Sequence, residues 1–160
     1  MIRCSLNEVE TLLTKAARGC GADASQAARF GQGAVMCLCA GGATDTIHAA
    51  LAALPGGVVV EYAAKIQSGM MQPVGSIVVF LGDDPLWSGY MSALPYRTEW
   101  RSMTECAVHL GTFEKTPKPV RLEIASGDLA RWQALAARTF VPESEQSRLG
   151  GAGAGLTDND

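Results

Sequence analysis

The sequence lacks the features by which several classes of protein are recognised. No run of apolar residues approaches the roughly 18 that a membrane-spanning helix requires, and the start "MIRCSLNEVE" has no apolar signal-peptide core. The five cysteines are an odd number without the spacing of a disulfide scaffold, which is typical of a reducing compartment. These absences predict a cytoplasmic protein without a membrane partner.

An excess of charge of one sign is also missing from most of the chain. Residues 1–142 carry twelve basic and twelve acidic side chains, so the net charge of −3 comes from residues 143–160, where four acidic residues outweigh one arginine. A neutral body lacks the positive field that binding to a phosphate backbone needs, which argues against a nucleic-acid partner. The composition therefore predicts one globular domain, residues 1–142, followed by a glycine-rich acidic segment, residues 143–160.

Motifs that identify a reaction are absent as well. There is no Gly-x-Ser-x-Gly or His-Glu-x-x-His, and neither "GQG" nor "GAGAG" has the offsets of a nucleotide-binding loop. Cys37 and Cys39 lie two residues apart on a predicted helix and point in different directions, so no metal ligand is predicted. Cys106 and His109, three apart on a predicted strand, face opposite sides, which argues against a nucleophile–base pair. Catalytic residues and cofactors stay unknown.

Helical periodicity is present in the first third of the chain. Ser5 and Glu8 form a capping box, and apolar residues then recur at intervals of three and four. Helices are predicted over residues 5–20, from Asp23 or Ser25 to the glycines at 41–42, and from Thr44 or Asp45 to Leu54. Gly31 and Gly33 inside the second of these predict that another backbone passes close by.

From residue 58 the period falls to two. The alternation in "VVVEYAAKIQ" (58–67) predicts a half-buried strand, and "SIVVFL" (76–81), apolar on both faces, predicts a central strand. "GDDP" (82–85) predicts a turn. Shorter strands are predicted around residues 87–91, 96–102, 104–110 and 119–125, mainly antiparallel because the connections are short. A last helix capped by Ser126 runs past Phe140 to Pro142, so the fold class is α+β, with N-terminal helices, a mainly antiparallel sheet and a closing helix.

The first predicted helix carries the strongest polar cluster. Glu8, Thr11, Lys15 and Arg18 recur at intervals of three and four and share the face opposite the apolar stripe. One interpretation is an ordinary solvated face. The other is an anion clamp, in which Lys15 and Arg18 bind a carboxylate or phosphate and free N–H groups at the start of the next helix complete the site.

Both ends of the chain resemble a known family. "SLNEVETLLTKAARGCG" (5–21) and "FVPESEQSRLGGAGAGLTDND" (140–160) are similar to the two ends of an uncharacterised bacterial domain-of-unknown-function family, whose members open with Ser-Leu-Asn-Glu and Lys-Ala-x-Arg-Gly and close with Gly-Ala-Gly and Asp-Asn-Asp. The resemblance names no activity. It implies that the C-terminal segment is functional, and it adds a set of ligand-binding candidates. They are Asn7, Glu8, Lys15, Arg18, Asp158, Asn159 and Asp160.

These observations favour a small accessory or binding protein whose ligand is a small anionic metabolite or a protein partner. The site is expected where the polar face of the first helix meets the C-terminal segment, which either pairs with Lys15 and Arg18 or closes over a bound anion as a lid. Two alternatives remain open. One is an enzyme acting on a small carboxylate metabolite, with Glu8 as acid or base. The other is a subunit of a larger complex that docks through the sheet edge or the tail, and a homo-oligomer is left open too.

Overall fold

The structure, a computed structural model, describes residues 1–139. Within them the chain forms an α+β fold of six helices and two antiparallel sheets, which confirms the predicted fold class. The helices are α1 (Leu6–Gly19), α2 (Ala24–Cys39), α3 (Thr44–Ala52), α4 (Val58–Met70), α5 (Pro85–Ala93) and α6 (Ser126–Ala136). The strands are β1 (Ile2–Ser5), β2 (Ile77–Leu81), β3 (Tyr96–Trp100), β4 (Glu105–Phe113) and β5 (Arg121–Ile124). The expected helix end at Phe140 and Pro142, and the segment 143–160, lie outside the described residues.

The first three helices form where the sequence predicts them. Ser5 is the N-cap of α1: its hydroxyl accepts the Glu8 N–H, and the Glu8 carboxylate accepts the Ser5 N–H. Asp23 and Gln26 form the same arrangement at the start of α2. Each box satisfies N–H groups that the first turn of a helix leaves without partners, which is why both helices start at these residues.

The glycines of α2 allow close packing on both sides of the helix. A Cβ at Gly31 would stand 2.8 Å from the carbonyl oxygen of Glu10 in α1, so the predicted close approach of a backbone is confirmed there. At Gly33 a Cβ would meet the ring of Tyr90 in α5, and the backbone of α5 also passes close by, because a Cβ at Gly89 would clash with the Gly33 carbonyl oxygen. These contacts place α2 between α1 and α5 at the centre of the apolar core.

The strand predicted over residues 58–67 is wrong, because this segment is the helix α4. Its buried side chains are Val59, Tyr62, Ala63 and Ile66, which recur at intervals of three and one and so share one helical face. Gly57 precedes the helix with a φ of 69°, in the left-handed region that glycine adopts without strain. The sequence contains both periods, and burial against the core decides for the helical one.

Two further expectations fail at the starts of helices. Residues 87–91 are not a strand but part of α5, which begins after the N-cap Asp84 with Pro85 in its first turn, a position that suits proline. Ser126 does not cap α6, because the N-cap is Ala125 and Ser126 is already the first helical residue.

The smaller sheet joins the first and last strands of residues 1–139, and the larger sheet uses the three strands between them. β1, which the sequence did not predict, pairs with β5, whereas the larger sheet has the order β2-β4-β3. All pairings are antiparallel, as expected. However, "SIVVFL" is not a central strand: β4 holds the centre, and β2 is an edge strand whose Ile77, Val79 and Leu81 side chains are exposed.

Candidate functional site

A cavity of about 640 Å³ lies between α1, α6 and β1. This volume is within the range of ligand sites for small organic molecules. Its apolar lining includes Val9 and Leu129, both almost completely buried. Polar side chains surround this apolar part on both helices, and they are Asn7, Glu8, Thr11, Lys15, Ser126 and Gln133.

The helices that line the cavity run in the same direction. Gly19 at the end of α1 lies against Leu135 near the end of α6, while the earlier turns of both helices line the cavity. Asn7 and Ser126 therefore belong to one end of the cavity, and Lys15 and Gln133 to the other. The site combines an apolar centre with a cationic end.

The structure brings three of the predicted site residues together and leaves a fourth apart. Asn7, Glu8 and Lys15 all line the cavity, whereas Arg18 does not. The guanidinium Nη1 of Arg18 donates a hydrogen bond of 2.9 Å to the carbonyl oxygen of Ala22, one turn beyond the cavity. Lys15 is thus the one cationic side chain that residues 1–139 contribute to the lining. Asp158, Asn159 and Asp160 lie outside the described residues.

Glu8 is held by its own helix cap. Its Oε2 atom accepts hydrogen bonds from the backbone N–H of Ser5 at 2.7 Å and from the Ser5 hydroxyl at 2.8 Å. These two bonds, the backbone one above all, lower the pKa of the Glu8 carboxyl. Glu8 and Lys15 are seven residues apart, which is about 10 Å along the helix axis, so screening in solution weakens their attraction.

The N–H groups at the start of α2, which were predicted to bind the anion, are partly occupied by a carboxylate of the chain itself. The N–H of Gln26 in the first turn of α2 is bound to the Asp23 carboxylate at 2.8 Å. This hydrogen bond is the main cause of the lowered pKa of Asp23, and the charge of Arg18 acts in the same direction. An anion at the start of α2 would have to displace a carboxylate that is already bound there.

A second, smaller cavity of about 260 Å³ is lined by two arginines that were not among the predicted site residues. Arg131 and Arg138 line it together with Cys20 and His48. Seven residues separate the two arginines along α6 and the turn that follows, so they share a face, and this spacing is a signal that the sequence does contain. The cavity is therefore a rival location for an anion.

Several lining residues of the larger cavity had no signal in the sequence. Ser126, Leu129 and Gln133 come from α6, more than a hundred residues after α1, and only the packing of these helices brings them beside Lys15. Ser126 was assigned to a helix cap instead. Ile2 and Cys4 belong to β1, a strand that the sequence did not predict.

The other residues that the sequence offers for chemistry have structural roles or lie apart from one another. Cys106 faces the core opposite Phe80, whereas His109 lies on the other face of β4 opposite Ile77, so the two do point to opposite sides. The carboxylate of Asp84 caps α5 through the Trp87 N–H. Among residues 1–139 no three metal-ligating side chains come together.

Comparison with known proteins adds no assignment. No protein-family model, no curated protein and no solved structure matches the chain. Within the described range none of the helices is both long and apolar enough to cross a membrane.

Proposed function

We propose that the protein binds a small amphipathic anion in the cavity between α1, α6 and β1. The observation that carries this proposal is the position of Lys15, the only cationic side chain among the lining residues that the structure describes, beside the apolar part of the cavity. A carboxylate on a short hydrocarbon would place its charge at Lys15, with the Gln133 amide and the Thr11 hydroxyl as hydrogen-bond donors. Its hydrocarbon part would cover Val9 and Leu129.

The same geometry favours binding over catalysis by Glu8. A carboxyl group that acts as a general acid near neutral pH needs a raised pKa, usually through burial. Glu8 is exposed, and the hydrogen bonds from Ser5 lower the pKa of its carboxyl. An accessory or binding protein therefore fits this face better than an enzyme acting on a carboxylate metabolite.

The acidic C-terminal segment is the second part of the proposal. It begins a few residues after Thr139, which ends the short turn that follows α6. In all, 21 residues follow Thr139. An extended chain of that length spans up to about 70 Å, several times the length of α6. Its carboxylates at Asp158 and Asp160 are opposite in charge to Lys15. Either they occupy the cationic end until a ligand displaces them, or the segment closes over the bound anion.

Titration calorimetry with octanoate tests the cavity, and 1-octanol serves as the uncharged probe of the same length. We expect octanoate to bind more tightly than octanol, and Lys15→Gln to weaken octanoate binding about fivefold, since an exposed charge pair contributes about 1 kcal/mol. Arg18→Gln is the matched control on the same helix and should change nothing. Octanoate bound equally by Lys15→Gln and the unmodified protein would overturn the proposal, and a loss in Arg131→Gln instead would place the anion in the smaller cavity.

The double variant Asp158→Asn, Asp160→Asn tests the tail in the full chain. If the tail competes for Lys15, octanoate binds more tightly once the two charges are removed. If the tail is a lid, removal of the whole segment 143–160 weakens binding instead. Unchanged affinity in both variants would confine the site to residues 1–142.

A further inference from the structure

The β2 edge of the three-stranded sheet is an exposed apolar feature that the proposed ligand site does not use. Val78 and Phe80 face inward against Gly69 of α4. Ile77, Val79 and Leu81 point to the opposite face, where they are 52%, 43% and 65% exposed. Val74 extends this row, because its side chain lies over Gly111 on the same face and is itself exposed.

The hydrogen-bond register shows which backbone groups of β2 have no partner among residues 1–139. Ser76 lies opposite Leu110 and accepts its N–H at 2.9 Å, and Gly82 donates its N–H to Thr104 at 2.9 Å. In an antiparallel ladder the bonded positions alternate, so the even-numbered residues bond to β4. Ile77, Val79 and Leu81 therefore direct three N–H and three C=O groups to the open edge.

The other edge of the same sheet is protected and this one is not. β3 carries Arg97 and Glu99 and has a register shift next to Tyr96, two devices that prevent further pairing. β2 has no charged residue, no proline and no register shift between Ile77 and Leu81. Protection of a single edge is expected when the unprotected one is covered by a partner.

We propose that β2 is the dimerisation edge of this protein and that its partner is a second copy of the chain. An antiparallel pair centred on Val79 sets Val79 against the partner's Val79, and sets Ile77 against the partner's Leu81. Because all three residues direct their backbone groups outward, this register forms six hydrogen bonds and leaves none of those groups unpaired. The apolar rows of the two copies meet side by side on one face of a six-stranded sheet.

Charge selects a second copy in this orientation. Asp83 lies two residues after the end of β2, and the antiparallel register places it opposite the partner's Gly75, which has no side chain. A parallel pair would set Asp83 and Asp84 against their own copies, where like charges repel. The twofold arrangement pairs the two β2 edges and leaves the protected β3 edges at the outside of the six-stranded sheet, so this sheet does not extend beyond the dimer.

Sedimentation equilibrium of the full chain tests the proposal directly. We expect a particle of twice 16.8 kDa at micromolar concentrations. Val79→Lys should sediment as a monomer, because two ammonium groups would face each other at the twofold axis. Val120→Lys, at another exposed valine outside every strand, is the matched control and should remain a dimer. Circular dichroism checks that both variants keep their helices.

Hydrogen exchange identifies the edge that is used. The amides of Ile77, Val79 and Leu81 should gain protection as the protein concentration rises through the dimerisation range, whereas those of Val78 and Phe80 stay protected throughout. A monomer at 100 μM, a dimer that persists in Val79→Lys, or open-ended aggregates in place of a dimer would each overturn the proposal. None of these readings depends on octanoate binding, so the dimer and the ligand site stand or fall separately.

Discussion

The Nε2 atom of His48 lies 2.7 Å from Oδ1 of Asp128 and joins α3 to α6. His48 is only 8% exposed, and its ring centre is 5.8 Å from that of Trp132, the fully buried indole of α6. This hydrogen bond favours one arrangement of the two helices, because breaking it would leave the buried His48 ring without its partner. It thereby helps to hold the helix that forms one wall of the cavity.

This contact makes stability depend on acidity in a defined direction. The hydrogen bond from His48 lowers the pKa of Asp128 in the folded protein. The resulting stabilisation is present above the unfolded pKa of about 3.9 and is lost as the pH falls through the lowered folded value. Urea unfolding should therefore show Asp128→Asn to be less stable than the unmodified protein at pH 5, with the difference shrinking towards pH 2.

The two serines at helix starts should differ in their effect on stability. Ser5→Ala removes a side-chain cap and should lower the free energy of unfolding by about 1 kcal/mol. Ser126→Ala removes no cap, since the N-cap of α6 is Ala125, and should change it by less than about 0.5 kcal/mol. Thermal unfolding of both variants measures the comparison. Equal losses would show that Ser126 caps α6 after all.

Local features of this chain were predictable and distant ones were not. The capping box of Ser5 and Glu8 lies within four consecutive residues, so the start of α1 can be read directly from the sequence. The cavity depends on Lys15 lying near Gln133, which no spacing in the sequence encodes. The polar face of α1 was therefore predicted. The packing of α6 against α1, and the position of Arg18 outside the cavity, required the folded structure.

Glycine substitutions should separate close packing from simple helix propensity. A Cβ at Gly89 would stand 2.8 Å from the backbone nitrogen of Cys37, where α5 crosses α2, so Gly89→Ala should destabilise the protein by about 1–3 kcal/mol. Gly127 in α6 has nothing within 4 Å, and Gly127→Ala should be neutral or stabilising by up to about 1 kcal/mol. Chemical denaturation gives both values. Comparable effects at the two sites would contradict the close α2–α5 contact.

Cys106 should be unreactive in the folded protein. Burial raises the pKa of its thiol to about 11, so the thiolate that reacts with iodoacetamide is scarce at pH 8. Peptide mass spectrometry should find Cys106 unlabelled in buffer and labelled in urea, and Cys4, which is partly exposed, labelled in both. Because folding raises the pKa of the thiol, its contribution to stability is fully present below the unfolded pKa of about 8.5. This contribution is lost as the pH rises towards 11. The stability difference between the unmodified protein and Cys106→Ala should shrink over that range.

The error at residues 58–67 has a physical origin. Three consecutive valines favour a strand, because β-branched side chains lose little χ1 freedom there. The same segment places Val59, Tyr62, Ala63 and Ile66 on one helical face, and tertiary burial outweighs local preference. For β2, apolar residues on both faces predicted a central strand, but β2 is an edge strand. One of its faces packs on α4, and the other carries the exposed apolar row of the strand that we assign to the dimer.

Two adjacent alanines distinguish a helix from a strand at this segment. In α4, Ala63 is buried and Ala64 is exposed. In the alternating strand, Ala64 would share the inward face with Tyr62 and Ile66, and Ala63 would face solvent. Ala63→Glu should therefore unfold or severely destabilise the protein, because a carboxylate would be buried without a partner. Ala64→Glu should shift the free energy of unfolding by less than about 0.5 kcal/mol. The opposite order of stabilities in urea unfolding would favour the predicted strand over the helix α4. "VVVEYAAKIQ", rather than solvent or a second copy, could then cover the edge of β2.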